Sequence, residues 1–192
     1  MSSMGRVLSV NVGRVEPAHI DGREVMTGFR KRPLAGGGVL RSLGLEGDEQ
    51  ADQSVHGGLD KAVYAYPHEH YRFWATVRAQ AGQGGWHDAL PAGSLGENLT
   101  IEGLLEAQAW VGDLLQFPHC TLAVSAPRMP CFKFDAAMGF RQASKLMAQS
   151  GYCGFYLAVR EVGRIEAGDR FELQPGPREV SIAELFAARL RR

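Results

Sequence analysis

Polar and apolar residues alternate from Arg6 to Val15, with Leu8, Val10 and Val12 on one face, and this period of two predicts an opening strand. Asp21-Gly22 carries turn chemistry, so Glu24 to Phe29 reads as a returning strand. Gly36-Gly37-Gly38 breaks the chain before Val39 to Leu45, and Asp60 to Tyr66 forms the next extended run. Later strands are predicted after the turn at Gly96, through Ile101, over Trp110 to Phe117 and Thr121 to Ser125 (a pair joined at Pro118), and over Phe155 to Val162 and Arg170 to Leu173.

The period turns helical in a few places. Pro67 to about Ala79 has proline and Glu69 in its first turn and an apolar face of Tyr71, Trp74 and Val77. Gln142 to Gln149 ends before Gly151, a helix-stopping glycine. Ser181-Ile182-Ala183-Glu184 is a capping box, and Ile182, Leu185, Phe186 and Leu190 share a face of a terminal helix over about 181–192. Many short strands with few helices predict a mostly β (α+β) fold, a barrel decorated by peripheral helices, in a single globular unit over 1–192.

Two long segments fit neither period. Gly44 to Gly58 is rich in turn residues and polar groups, and a long ordered loop of this kind is often functional. Within it His56 precedes two glycines that allow close approach to a ligand. Ala81 to Gly96 reads as loop. Arg30-Lys31-Arg32-Pro33 is a basic patch, read as a solvated loop in preference to an anion contact. Gly112-Asp113 and Gly168-Asp169 look like two copies of one turn leading into a strand. His68 and His70 lie two apart on the predicted helix, point to different sides, and are read as surface residues.

Composition narrows the function classes. Of 192 residues, 45% are apolar and 22% charged, ordinary for a soluble globular chain. The 21 Lys and Arg balance 21 Asp and Glu, which argues against a nucleic-acid binder relying on bulk positive charge. No apolar stretch approaches a membrane span, and no signal peptide is read, so a cytoplasmic location is expected. The three cysteines, Cys120, Cys131 and Cys153, are widely spaced with no C-x-x-C, which disfavours a disulfide framework, structural zinc or an iron–sulfur cluster. His119-Cys120 is no metal pair, because neighbours on a strand face opposite ways.

The chemistry concentrates in Pro127-Arg128-Met129-Pro130-Cys131-Phe132-Lys133. Prolines stiffen this loop, and cations flank its thiol, a setting that favours the reactive, metal-binding thiolate. A nucleophile and a one-sulfur metal ligand both suit it; a buried cysteine with two surface cations is the alternative. Cys153, without an adjoining cation, is read as structural, and Asp48 and Asp52 as loop braces.

Several segments in order carry a family resemblance: Gly47-Asp48-Glu49-Gln50-Ala51-Asp52, Val55-His56-Gly57-Gly58, Gly96-Glu97-Asn98-Leu99-Thr100, Gly112-Asp113, the Cys131 loop and Gly151-Tyr152-Cys153-Gly154. The chain resembles the MOSC domain family, and within it the bacterial stand-alone YiiM-like proteins, with a MOSC-like core over about 28–175. The resemblance implies a MOSC-type β-barrel and a pocket for molybdenum cofactor (molybdopterin). It makes Cys131 the metal ligand and catalytic thiolate, and His56, Gly57, Asn98, Arg128 and Lys133 the cofactor-binding residues. The family also has a general association with pyridoxal phosphate. Relatives often carry glutamine before the Pro127 position and an arginine after Phe155-Tyr156; this chain has Ala126, Leu157 and Ala158.

The leading functional expectation is a reductase of N-hydroxylated small molecules, hydroxylaminopurines or amidoximes. Its electrons come from a flavoprotein reductase, since the chain has no iron–sulfur motif and no Gly-x-Gly-x-x-Gly of its own. A non-catalytic carrier of the cofactor or of sulfur would use the same pocket. A cysteine hydrolase or transferase would need a positioned base, for which His56 is the candidate.

Overall fold

The computed structural model describes residues 4–51 and 57–191. In chain order its strands are β1 (Met4–Val12), β2 (Glu16–Ile20), β3 (Arg23–Thr27), β4 (Arg32–Pro33), β5 (Gly38–Arg41), β6 (Gly44–Leu45) and β7 (Val63–Pro67). They continue with β8 (Leu99–Glu102), β9 (Leu114–Gln116), β10 (Thr121–Pro127), β11 (Phe155–Glu161), β12 (Gly163–Ile165) and β13 (Arg170–Gln174). The α-helices are α1 (Tyr71–Gln80), α2 (Phe132–Met138), α3 (Ala143–Ser150) and α4 (Ile182–Leu190).

Seven strands close a barrel in the order β1-β8-β7-β11-β10-β9-β13, with β13 returning to β1. The predicted barrel is therefore the architecture observed. Six of its seven pairings are antiparallel; β7 and β8 run parallel, with Ala65 opposite Leu99. A parallel pair needs a crossover, here the 3₁₀ turn His68–His70, α1 and the loop that follows. Outside the barrel lie the hairpin β2–β3 and the small sheet β12-β5-β6.

Opposed residues on paired strands share a face. Val63 with Leu157, Ala65 with Leu99, Val7 with Ile101, and Leu115 with both Leu122 and Leu173 give one such face, and all are buried. They fill the barrel, each large side chain contributing about 1.5–3 kcal/mol of burial. Gly5 makes room for one more: a Cβ there would lie 2.2 Å from Phe171 Cζ, so the Phe171 ring occupies the space a side chain would take.

The opening strand buries Val7 and Val10, rather than Leu8, Val10 and Val12 on one inward face. A register shift between Val7 and Ser9 inserts one residue, and a bulge reverses the facing of everything before it. Helix α1 starts at Tyr71 rather than Pro67, because Pro67 is still extended (φ −66°, ψ 121°) and opposite Ile101 in β7. Glu69 holds the intervening turn by accepting from the Gly103 amide at 2.7 Å. Strand β9 starts only at Leu114, since Val111 to Asp113 turns, while Trp110 instead bridges Ser181.

That turn repeats. Asp113 accepts from the amide three residues earlier, Trp110, and Asp169 from Glu166; both are preceded by a left-handed glycine, Gly112 at φ 91° and Gly168 at φ 97°. The two Gly-Asp segments are one piece of local turn chemistry used twice.

Helix α4 packs on β10 and carries the predicted capping box: the Ser181 hydroxyl accepts from the Glu184 amide at 3.2 Å, and Glu184 accepts from the Ser181 amide at 2.8 Å. Ser181→Ala should cost about 1 kcal/mol in a urea melt, while Glu184→Gln, which keeps an acceptor, should cost less. Among the described residues no helix is long and apolar enough to cross a membrane.

Candidate functional site

The outer face of the barrel wall carries Tyr64 opposite Tyr156 on β7 and β11. Tyr66 shares this face and accepts a hydrogen bond from the Trp74 indole at 2.5 Å, so α1 covers one end. Over the other end opens a cavity of about 90 Å³. Its walls come from the end of β3, the segment 48–51, the loop after β10 and the start of α2.

Arg128 follows directly on β10. It is only 5% exposed, with its guanidinium carbon 5.1 Å from the ring centre of Phe29 and 5.2 Å from those of Tyr64 and Phe134. Aromatic faces attract a cation but do not accept its N–H bonds directionally as oxygen does. Its Nη1 is buried and has no hydrogen-bond partner among the described residues. A buried donor of this kind is costly and calls for an explanation. Arg128 is thus caged by aromatic rings, and one edge of its guanidinium is unsatisfied.

Cys131 is half-buried, extended (φ −148°, ψ 164°), and forms the N-cap of α2 without a side-chain cap bond. Its carbonyl accepts from the Phe134 amide at 2.9 Å and the Ser144 hydroxyl at 2.8 Å, which fixes the backbone beneath the thiol. The sequence reading missed α2. Phe134 and Met138, both buried and four residues apart, and Gly139 in the left-handed C-cap were its signals. Lys133 lines the same cavity and donates to the Met26 carbonyl at 3.0 Å, tying α2 to the β2–β3 hairpin. The other thiols are sealed: burial, with Asp169 and Glu161 adding to it, pushes Cys120 up to about 12, and burial pushes Cys153 well above the ordinary thiol range.

The Gly96-Glu97-Asn98-Leu99-Thr100 segment builds the wall. Asn98 lines the cavity, but its carboxamide oxygen accepts from the Tyr64 amide (3.0 Å) and its nitrogen donates to the Asn11 carbonyl (3.3 Å) and to Asp48 (2.8 Å). Glu97 is fully buried and takes hydrogen bonds from the Tyr71 and Thr100 hydroxyls and from the Gly93 and Leu95 amides. Asp48 is a brace, as read: it accepts from the Gly13 amide at 2.9 Å and pairs with Lys31 at 2.5 Å. Lys31 corrects the picture of a solvated basic patch, because its side chain is buried against Asp48 and lines the cavity, while Arg30 and Arg32 are exposed.

Cys131, Arg128, Lys133 and Asn98 therefore meet at one cavity. Gly57 is half-buried and outside its lining, and His56 and Asp52 lie outside the described residues. Sequence reasoning missed Lys61, Tyr64 and Tyr156. Only strand pairing brings the tyrosines together, with the Lys61 ammonium 5.8 Å from the Tyr156 ring centre. Burial, partly offset by Arg128, raises both phenols above the usual tyrosine range, so both hold their protons near neutral pH.

His70 is not a surface residue. It is 7% exposed, bonded to Glu106 at 2.9 Å and stacked 3.8 Å from Tyr152. The 3₁₀ turn that displaces the start of α1 rotates it inward. Glu106 also accepts from the Gly154 amide at 2.8 Å, so this cluster anchors the Gly151-Tyr152-Cys153-Gly154 segment; His68 stays exposed.

A family profile described as MOSC domain matches residues 52–172, more than half of the chain. The chain belongs to the MOSC domain family. YflK of Bacillus subtilis (strain 168) is 38% identical over 185 residues, which cover 96% of this chain and 79% of YflK. A Gibberella moniliformis (strain M3125 / FGSC 7600) protein named "Reductase" is 30% identical over 174 residues, 90% of this chain but only 30% of that protein. The crystal structure of YiiM from Geobacillus stearothermophilus superposes with a TM-score of 0.72 at 30% identity, covering 95% of this chain and 82% of that one.

The MOSC family is associated with molybdenum cofactor, and the residues present fit such a group. Among the described residues no three His, Cys, Asp or Glu side chains are placed together to hold a metal, and Cys131 is the thiol that lines the cavity. Arg128 supplies an unused buried donor, and Lys61 and Lys133 add positive charge on the same cavity.

Proposed function

We propose that the chain is a molybdenum-cofactor-binding oxidoreductase that reduces N-hydroxylated compounds, hydroxylaminopurines or amidoximes, with electrons from a flavoprotein reductase. The observation that carries this reading is the meeting, in one cavity of a MOSC-family chain, of a half-buried thiol at Cys131 and an unsatisfied buried guanidinium edge at Arg128. The cofactor, when bound, supplies a two-electron centre able to take the oxygen of an N–O bond. The net reaction is R–NHOH + 2 electrons + 2 protons → R–NH2 + H2O.

In this reading Cys131 is the single protein ligand, on a backbone held by Ser144 and Phe134. Arg128 adds its guanidinium charge to the cavity wall beside the reacting space. Lys61 and Lys133 offset negative charge that enters. Tyr156 holds a proton at its hydroxyl beside the reacting space, and Asn98, Asp48 and Lys31 keep the wall rigid. Three free cysteines accord with a reducing cytoplasm.

The carrier reading has one observation in its favour. Asn98 lines the cavity but spends its carboxamide on Tyr64, Asn11 and Asp48, so one polar group fewer remains to grip a substrate. Protein purified from a cofactor-competent host separates the two. The reductase reading expects stoichiometric molybdenum and pterin, and turnover of an amidoxime with a low-potential artificial donor. Loaded protein without turnover would favour the carrier; protein that takes up neither metal nor pterin would refute both.

A further inference from the structure

We infer that the surface formed by α2, α3 and the segment around Arg30 is the docking face for an acidic electron-donor flavoprotein. This rests on the proposed reduction and adds where the donor binds and what recognises it.

The first ground is position. Cys131, which lines the cavity, is the N-cap of α2, and the seven residues of that helix span roughly 10 Å at the helical rise. Phe132 is 51% exposed, and Ala136, four residues on and so on the same side of the helix, is exposed as well. Helix α3 meets α2 at this corner: the Ser144 hydroxyl donates to the Cys131 carbonyl at 2.8 Å, and the Ser144 amide to Asp135 at 2.6 Å. Lys145 comes next in the chain and is exposed, as is Arg141 between the two helices. A partner seated here stands one short helix away from the thiol.

The second ground is charge. Residues 131–150 carry Lys133, Arg141 and Lys145 against one carboxylate, Asp135, which is taken up by the Ser144 amide. On the far side of α2, a groove between Ala136, Ala137 and Met138 and the segment 29–31 is lined by Arg30, Lys31 and Arg78, with no carboxylate among the described residues that line it. Lys31 is paired with Asp48, so the charge of this groove comes from Arg30, which is exposed, and Arg78. Arg78 is held in place by donating to the Met138 carbonyl at 3.2 Å and the Gln83 carbonyl at 3.0 Å, acceptors without net charge. Asp88, which shares the neighbouring groove with Arg78, accepts from the Gly85 amide at 2.6 Å. Cations thus flank α2 on both sides in a chain of zero net charge. Such a local field steers acidic partners and sets their orientation.

The third ground is the make-up of the face. An exposed aromatic and two alanines, ringed by cations, give the apolar centre and polar rim of a protein–protein interface. A nucleic acid would call for a basic stripe and a high pI, and this chain has a pI of about 7.0. The donor's reduced flavin is oxidised as the substrate is reduced, R–NHOH + FMNH2 → R–NH2 + H2O + FMN, so no further reductant is needed.

The test uses the full chain purified from a cofactor-competent host. An acidic flavodoxin-type FMN protein is titrated against it at low ionic strength. Amidoxime turnover is measured separately with that protein and with reduced methyl viologen as donor. Saturable but weak binding is expected, as for redox encounters in general. The triple variant Arg30→Glu, Arg141→Glu, Lys145→Glu changes exposed side chains and should fold. It should weaken binding, and lower kcat/KM for the flavoprotein, by about tenfold or more, with the gap closing as salt is added. Its turnover with methyl viologen should not fall. Phe132→Ala should weaken binding about fivefold at every salt concentration, since its contribution is contact rather than charge. No saturable binding to wild type, or binding that charge reversal leaves unaltered, would overturn the inference. Equal loss of turnover with both donors would overturn it too, by placing the effect in the cavity or the fold. So would a dimer of the chain that charge reversal dissolves, because the face would then be covered by a second copy. Absence of methyl viologen turnover in wild type would instead sink the reductase reading, and the binding titration would still decide the docking face.

Discussion

Cys131→Ser lowers N-reductive turnover by at least about a hundredfold at matched protein concentration, since losing even an outer partner of a metal ligand typically costs 10–100-fold. Serine nearly matches cysteine in shape, but its hydroxyl stays protonated near neutral pH and supplies no soft thiolate. The fold should survive. Cys131 is half-buried, and its position as an uncapped helix N-cap is one that serine fills well, so the urea midpoint should hold or rise slightly. Cys120→Ser and Cys153→Ser are the opposite controls. Both thiols are buried and held protonated, so substitution there should lower stability and leave turnover per folded, loaded molecule largely intact. Full turnover in Cys131→Ser would remove the ligand assignment and leave the carrier reading ahead.

The largest expected loss of stability is at Glu97. One oxygen of its carboxylate accepts from Tyr71, Gly93 and Thr100, and the other from the Leu95 amide at 3.0 Å. Glu97→Gln would set an NH2 group against the Leu95 N–H, leaving one buried donor unpaired at a cost of about 1–3 kcal/mol. Glu97→Ala would strand four donors and should cost at least about twice as much, read as a lower urea midpoint with unchanged slope. The loop it braces includes Gly96, which lines the cavity, so ligand binding should weaken in the same variants. Burial, outweighing its hydrogen bonds, raises the Glu97 carboxyl above the ordinary glutamate range. The folded chain then holds this proton more tightly than the unfolded chain. The contribution is complete below the ordinary glutamate pKa and fades as pH climbs through the raised one. Wild type should lose some stability over that rise, and Glu97→Gln should lose less. Identical pH profiles for the two would show that Glu97 stays ionised in the folded state.

Both variants touch segments that the sequence singles out, and the structure sets their side chains in different surroundings. The Cys131 loop reads as chemistry because proline stiffness and flanking cations are local properties. The segment around Glu97 and Asn98 resembles the family equally well, but its side chains turn inward to Tyr64, Tyr71, Asn11 and Asp48, partners as many as 87 residues away. A motif records that residues matter together; whether they face a ligand or each other depends on contacts the motif does not contain. His70 shows the same limit. Its exposure followed from an assumed helix start, and a three-residue 3₁₀ turn was enough to rotate it into the core against Tyr152.

By itself the sequence determined the strand-rich barrel class, the C-terminal capping box, the two Gly-Asp turns and the short loop that sets Cys131 between Arg128 and Lys133. These rest on periodicity, turn residues and near neighbours, whose physics acts within a few residues. Only the tertiary structure decided that β7 and β8 run parallel, that a bulge at β1 brings Val7 inward, and that Lys31 is buried on Asp48. It also decided that Tyr64 and Tyr156 face one another beside Arg128, and that three aromatic rings cage this arginine while one of its edges stays unsatisfied. Each of these depends on strand register and on desolvation. Both are set when distant segments close on one another, and neither leaves a local pattern along the chain.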